Sequence, residues 1–90
     1  MPIQPEALKY KKGDTIIREG DPSDCAYIIE SGTAEVCKSL PSGEQHFVGT
    51  LVRDEIFGEL GLIDGLPRSA TVTALDNCRV RKITQQTFVS

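Results

Sequence analysis

An all-β double-sheet jelly roll, built as a sandwich or barrel, is the fold class this 90-residue chain predicts. Three observations point there. Short β-rich runs recur along the chain, and glycine, proline and aspartate turns separate them roughly every 8–12 residues. Only two places look helical, and both are short. There is no internal repeat, linker or low-complexity tract, so residues 1–90 read as a single domain.

In chain order, Leu8 to Lys11 is the first expected strand, ended by Gly13-Asp14. Thr15-Ile16-Ile17-Arg18 is the second, closed by the turn residues Glu19-Gly20-Asp21-Pro22. Cys25-Ala26-Tyr27-Ile28-Ile29-Glu30 is nearly continuous in apolar character, as in a strand buried on both faces. Ser31-Gly32 turns the chain into Thr33 to Lys38, where small or apolar side chains alternate with polar ones. Pro41-Ser42-Gly43 makes a hairpin loop into Gln45 to Val52. Ala70 to Leu75 and Arg79 to Ile83 complete the set, joined by Asp76-Asn77. Of the helical places, Gly58 to Asp64 is too short to stand alone and needs contacts from Leu60, Leu62 and Ile63. The other starts at Thr84, as an N-cap, and begins a C-terminal helix.

Composition excludes several function classes. A net charge of −3 gives no general attraction to nucleic acid or an anionic membrane. Three cysteines (Cys25, Cys37, Cys78), far apart and without a CxxC pair, predict free thiols in a reducing compartment. Cys25 and Cys37 lie in apolar runs and read as small buried hydrophobes. Residues Met1 to Glu6 lack the basic start and apolar run of a secretory leader, and no stretch reaches the ~18 apolar residues of a membrane span. The expectation is a soluble cytoplasmic protein.

The chemistry concentrates in Phe57-Gly58-Glu59-Leu60-Gly61-Leu62-Ile63 and Pro67-Arg68-Ser69-Ala70-Thr71. The first N–H groups of a helix have no intrahelical partners. Such donors beside a guanidinium make a place for a phosphate. Glu59 sits in the same place, where it needs a different partner, such as a sugar hydroxyl. The pair points to a ligand with one phosphate and one free hydroxyl a few ångströms apart. The competing reading is a salt bridge between Glu59 and Arg68 across a turn, worth little if exposed.

These residues, with Lys12-Gly13-Asp14-Thr15-Ile16-Ile17, Glu19-Gly20-Asp21, Ala26-Tyr27-Ile28-Ile29 and Ser31-Gly32, resemble the cyclic nucleotide-binding domain. That domain is shared by catabolite-activator-type regulators, regulatory subunits of cyclic AMP-dependent kinase, and cyclic nucleotide-gated channels. The ordered set from Gly13 to Thr71 carries the resemblance; Phe57-Gly58-Glu59-Leu60 alone is weak. The resemblance implies that Glu59 accepts from the ribose 2′-hydroxyl with the Gly58 backbone nearby, and that Arg68 pairs with the exocyclic phosphate oxygens. It further implies that backbone N–H groups at Gly61 and Ser69 complete the cradle, with Leu60 and Ala70 in the binding segment. The Ser69 hydroxyl adds a bond to phosphate or base, and a serine there leans toward cyclic AMP over cyclic GMP. The ligand is then the cyclic nucleotide, with no further cofactor, and occupancy passes to an effector domain or partner protein.

Two departures stand out. Relatives carry a glycine a few residues before Phe-Gly-Glu, whereas this chain has Arg53-Asp54-Glu55-Ile56, which predicts a differently shaped entering turn. Relatives also continue into long C-terminal helices that cap the base. Ser90 leaves room for only the start of the first, so the expectation is a fragment, or a lid supplied from elsewhere.

Other residues read as ordinary. His46 is expected at the surface, and a single histidine cannot build the metal site of a cupin enzyme, which shares the jelly roll. Asp14, Asp21, Asp24, Glu19 and Glu30 lack calcium-loop spacing and read as turn formers. Tyr10, Tyr27, Phe47, Phe57 and Phe88 are expected in the core. Arg79 and Arg81 fall on one strand face, expected to be solvated, with Lys82 beside them. No nucleophile–base pair, Walker-type loop or spaced second carboxylate is present, so catalysis is not expected. Two other functions fit the same fold: a ligand-free interaction or oligomerisation module, and a transcription regulator with a helix-turn-helix beyond Ser90.

Overall fold

A computed structural model describes residues 7–84. The strands are β1 (Ala7–Tyr10), β2 (Thr15–Ile17), β3 (Cys25–Ser31), β4 (Ala34–Ser39), β5 (Gln45–Leu51), β6 (Ile56–Phe57), β7 (Thr71–Ala74) and β8 (Cys78–Thr84). One helix, α1 (Leu60–Asp64), lies between β6 and β7. The strands form two four-stranded sheets, ordered β1-β8-β3-β6 and β2-β7-β4-β5, with every pairing antiparallel. This is the expected all-β double-sheet arrangement. Among the described residues no helix is long and apolar enough to cross a membrane.

The core is where the inner faces of the two sheets meet. Ile29 of β3 and Val80 of β8 face each other in register and are fully buried. Complete burial of such side chains stabilises by roughly 1.5–3 kcal/mol each. Ile17, Ala34, Val72 and Ala74 close the core from the other sheet. The near-continuous apolar run of β3 is buried at Cys25, Ala26, Tyr27 and Ile29, as its composition predicts.

Several elements differ from expectation. Strand β6 is the missed strand: two residues, Ile56 and Phe57, pair with Ile28 and Tyr27 of β3. Phe57 thereby stacks on Tyr27, with ring centroids 5.5 Å apart. Phe47 is not a core residue but 56% exposed, on the sheet-edge strand β5. Cys37 is half-buried, beside the register shift between β4 and β5, while Cys25 and Cys78 are buried; all three thiols are free. Arg79 and Arg81 do share a face, but both turn onto Glu30. That residue sits at the irregularity between Ile29 and Ser31, with its carboxylate 3.3 Å from Arg79 Nε and 2.9 Å from Arg81 Nε. Thr84 ends β8; the helix expected to follow it, and Phe88, lie outside the described residues.

The missing glycine in Arg53-Asp54-Glu55-Ile56 is met by Asp54, which takes a left-handed φ of 74°. It is the one described non-glycine residue with positive φ. Aspartate tolerates this region better than most residues, but not without strain. The bond from Asp54 N–H to the Ile29 carbonyl (2.8 Å) ties this turn to the buried strand.

Candidate functional site

Helix α1 begins at Leu60, two residues later than expected. Gly58 has a φ of 78°, outside helical space, and turns the chain out of β6. Gly65 ends the helix in a left-handed conformation, its N–H bonded to the Gly61 carbonyl at 3.0 Å. The expected support from apolar contacts is small at two positions, since Leu60 and Ile63 are 60% and 70% exposed. What fits the helix to the domain is a glycine. A Cβ on Gly61 would fall 1.6 Å from Ser23 Oγ and 2.2 Å from Ser23 Cβ, so only glycine lets this turn lie against the β2–β3 connection.

Gly58, Glu59, Leu60, Gly61, Arg68, Ser69 and Ala70 all line one open cavity of about 200 Å³. Its apolar floor comes from the second sheet. Ile17 on β2, Val72 on β7 and Val36 on β4 are register neighbours and form a continuous row. Sequence reading missed these three because they carry no signal beyond that of core residues. Ser23 also lines the cavity and was missed, since only the folding of residues 23 and 68 together reveals it.

Arg68 is the buried charge at this cavity, only 8% exposed. Its Nη1 donates to Ser23 Oγ and to the Gly58 carbonyl, both at 3.0 Å, and Nη2 donates to Cys25 Sγ at 3.5 Å. The guanidinium carbon lies 5.9 Å from the Tyr27 ring centroid. The peptide group of Arg68 is also fixed, its N–H bonded to the Asp21 carbonyl and its carbonyl to the Gly20 N–H, both at 2.9 Å. Every partner is neutral. No ion pair joins Arg68 to a carboxylate among the described residues, so the salt-bridge reading with Glu59 is not what the fold builds. Burying an unpaired charge costs several kcal/mol, which ordinarily selects against it. A Cβ on Gly58 would lie 2.7 Å from Arg68 Nη1, so that glycine too makes room for the guanidinium.

Beneath the guanidinium, burial pushes the Tyr27 phenol well above its usual pKa, with the neighbouring Cys25 adding to the effect and Arg68 opposing it. The ring stays neutral and offers the cation its face. The Ser69 and Ala70 N–H groups, beside Arg68 at the cavity, have no hydrogen-bond partner among the described residues. The arrangement therefore presents a fixed cation and spare donors on one side, the half-buried Glu59 carboxylate at the rim, and an apolar floor. It suits a small anionic ligand with a hydroxyl.

The family model for the cyclic nucleotide-binding domain matches residues 7–90. The chain belongs to that family. As a cyclic nucleotide-binding domain it is 40% identical over 83 residues to the cAMP-dependent protein kinase regulatory subunit of Blastocladiella emersonii, covering 92% of this chain and 21% of that protein. It is 34% identical over 86 residues to the regulatory subunit of Dictyostelium discoideum, covering 92% and 26%. The domain thus spans about a fifth to a quarter of the length of these curated relatives. Among solved structures it superposes on PfPKA-R in its cAMP-bound form with a TM-score of 0.90 at 31% identity, covering 96% of this chain and 30% of that one. The cAMP-bound form of the EAL enzyme Bd1971 gives 0.85 at 39% identity, covering 91% and 22%. The catabolite activator protein of Thermus thermophilus, at 24% identity and a TM-score of 0.88 over 93% and 39%, shares the fold.

Proposed function

We propose that this domain is a sensor for a cyclic purine mononucleotide, cAMP in preference to cGMP, and that it passes occupancy to an effector rather than catalysing a reaction. One observation carries the reading: Arg68 is a buried guanidinium surrounded by neutral partners, a charge without a counter-ion at the wall of a cavity. A cyclic phosphate supplies that counter-ion. Three of the five N–H donors of Arg68 are used within the protein, leaving two for the exocyclic oxygens. Backbone N–H groups at Gly61 and Ser69 complete the cradle. Glu59 accepts from the ribose 2′-hydroxyl, with Gly58 and Leu60 beside it, and the apolar row Ile17–Val72–Val36 takes the ring faces. The names of the relatives support cAMP, and Ser69 leans the same way; a cGMP-bound form of Bd1971 is also similar, at a TM-score of 0.85, so preference is a matter of degree.

Binding draws the segment between Gly58 and Ala70 onto the phosphate and biases the equilibrium between two states of the effector that reads it. A ligand-free interaction module would have no use for an unpaired buried charge. The test is a thermal melt of the chain with cAMP, cGMP or 5′-AMP. Specific binding raises the midpoint with ligand concentration by mass action. The expected order is cAMP above cGMP, with 5′-AMP without effect. No shift with either cyclic nucleotide at millimolar concentration would leave the interaction-module reading in its place.

A further inference from the structure

We propose that Ser23, in the connection between β2 and β3, is a further ligand-contacting residue, its hydroxyl donating to one exocyclic oxygen of the phosphate. The inference rests on the reading of Arg68 as the phosphate-binding residue and adds a side chain from a different part of the fold. Ser23 Oγ accepts from Arg68 Nη1 at 3.0 Å. A hydroxyl has one proton to give as well as lone pairs to accept with. No acceptor for that proton exists among the described residues, so the hydroxyl retains an unused donor.

Three surroundings aim this donor. Arg68 holds the oxygen from one side, Gly61 packs against it from another, and the cavity lies open on the third. The absence of a side chain at Gly61 is what admits it: any Cβ there would overlap both Oγ and Cβ of Ser23. An anion that pairs with Arg68 therefore arrives beside a hydroxyl already polarised by the guanidinium. One oxygen then links cation and phosphate, accepting from the first and donating to the second. The role is distinct from positioning Arg68, which needs only the accepting half of the hydroxyl.

The two phosphorothioate diastereomers of cAMP separate these roles, because each replaces one exocyclic oxygen by sulfur, a much weaker acceptor. Affinities of wild-type chain and Ser23→Ala for cAMP and both diastereomers are measured by titration calorimetry, with a thermal melt of the ligand-free variant to establish folding. The expected result is a loss of about 10- to 100-fold for cAMP, the range of a hydrogen bond to a charged group. The same loss is expected for one diastereomer and little for the other, whose sulfur already occupies the contacted position. Equal losses for all three ligands would overturn the direct contact and leave Ser23 as a support for Arg68. An unchanged affinity for cAMP would overturn the proposal while leaving the parent reading in place. Failure of the wild-type chain to bind either cyclic nucleotide would overturn both.

Discussion

Replacing Arg68 by methionine separates what the arginine does for the ligand from what it does for the fold. Methionine is flexible and apolar, and follows much of the path of the arginine stem without its charge. On the ligand side, removing one partner of a buried charged pair costs roughly 2–5 kcal/mol. That is about 30-fold to several-thousand-fold in affinity. On the folding side the terms oppose one another. Three hydrogen bonds to neutral acceptors are lost, the one to Cys25 sulfur being the longest. At roughly 0.5–1.5 kcal/mol each, this destabilises by about 1.5–4.5 kcal/mol. Against that, the variant no longer buries a guanidinium without a counter-ion, a penalty of several kcal/mol. The two terms nearly cancel, so the ligand-free variant is expected to be about as stable as wild type in urea denaturation, while calorimetry with cAMP shows binding lost. A variant that binds with wild-type affinity would refute the assignment of the phosphate to Arg68. A variant that is unfolded, or destabilised by the full value of its lost hydrogen bonds, would refute the argument that this charge is held at a cost to the empty domain.

Two further substitutions test how the turns are built. Asp54→Gly relieves the left-handed backbone at φ 74°, at the loss of no more than an exposed 4.0 Å contact with Arg53. It is expected to raise the urea midpoint by the equivalent of about 0.5–1 kcal/mol, and a lowered midpoint would show that the aspartate side chain is needed there. Gly61→Ala drives a methyl group into Ser23 at both Oγ and Cβ, so rotating the hydroxyl aside does not suffice. A loss of roughly 1–3 kcal/mol is expected, as for other overpacked sites. Ser23→Gly in the same chain is expected to recover most of it, whereas simple additivity of the two changes in denaturation would mean that the residues do not touch.

What was legible in the sequence was what local chemistry writes. Gly13, Gly20, Gly32 and Gly43 mark turns, and the β-rich runs that these and the other turn residues separate match seven of the eight strands. The strand it missed, Ile56–Phe57, is two residues long and exists through its pairing with β3, not through any periodicity of its own. Phe47 misled because an aromatic residue in a strand looks the same whether or not the rest of the fold covers it. The seven residues chosen for the site do meet at one cavity, because they lie in a single short segment that folds on itself. Ser23 and Cys25 stayed hidden for the opposite reason. They reach Arg68 across more than forty positions of chain, and nothing in a serine or a cysteine announces such a partner.

That separation has a kinetic consequence. Arg68 is bonded through its peptide group to Gly20 and Asp21, and through its guanidinium to Ser23 and Cys25, so it acts as a noncovalent crosslink between distant segments. Strands β3, β4, β5 and β6 and helix α1 lie inside the loop this crosslink closes. Contacts of such long range follow the ordering of the intervening chain, whose loop-closure entropy must be met first. The arginine clasp thus belongs to the last stage of folding and is among the first things lost on unfolding. A ligand seated on it acts as a brake on the unfolding rate and leaves the folding rate nearly untouched.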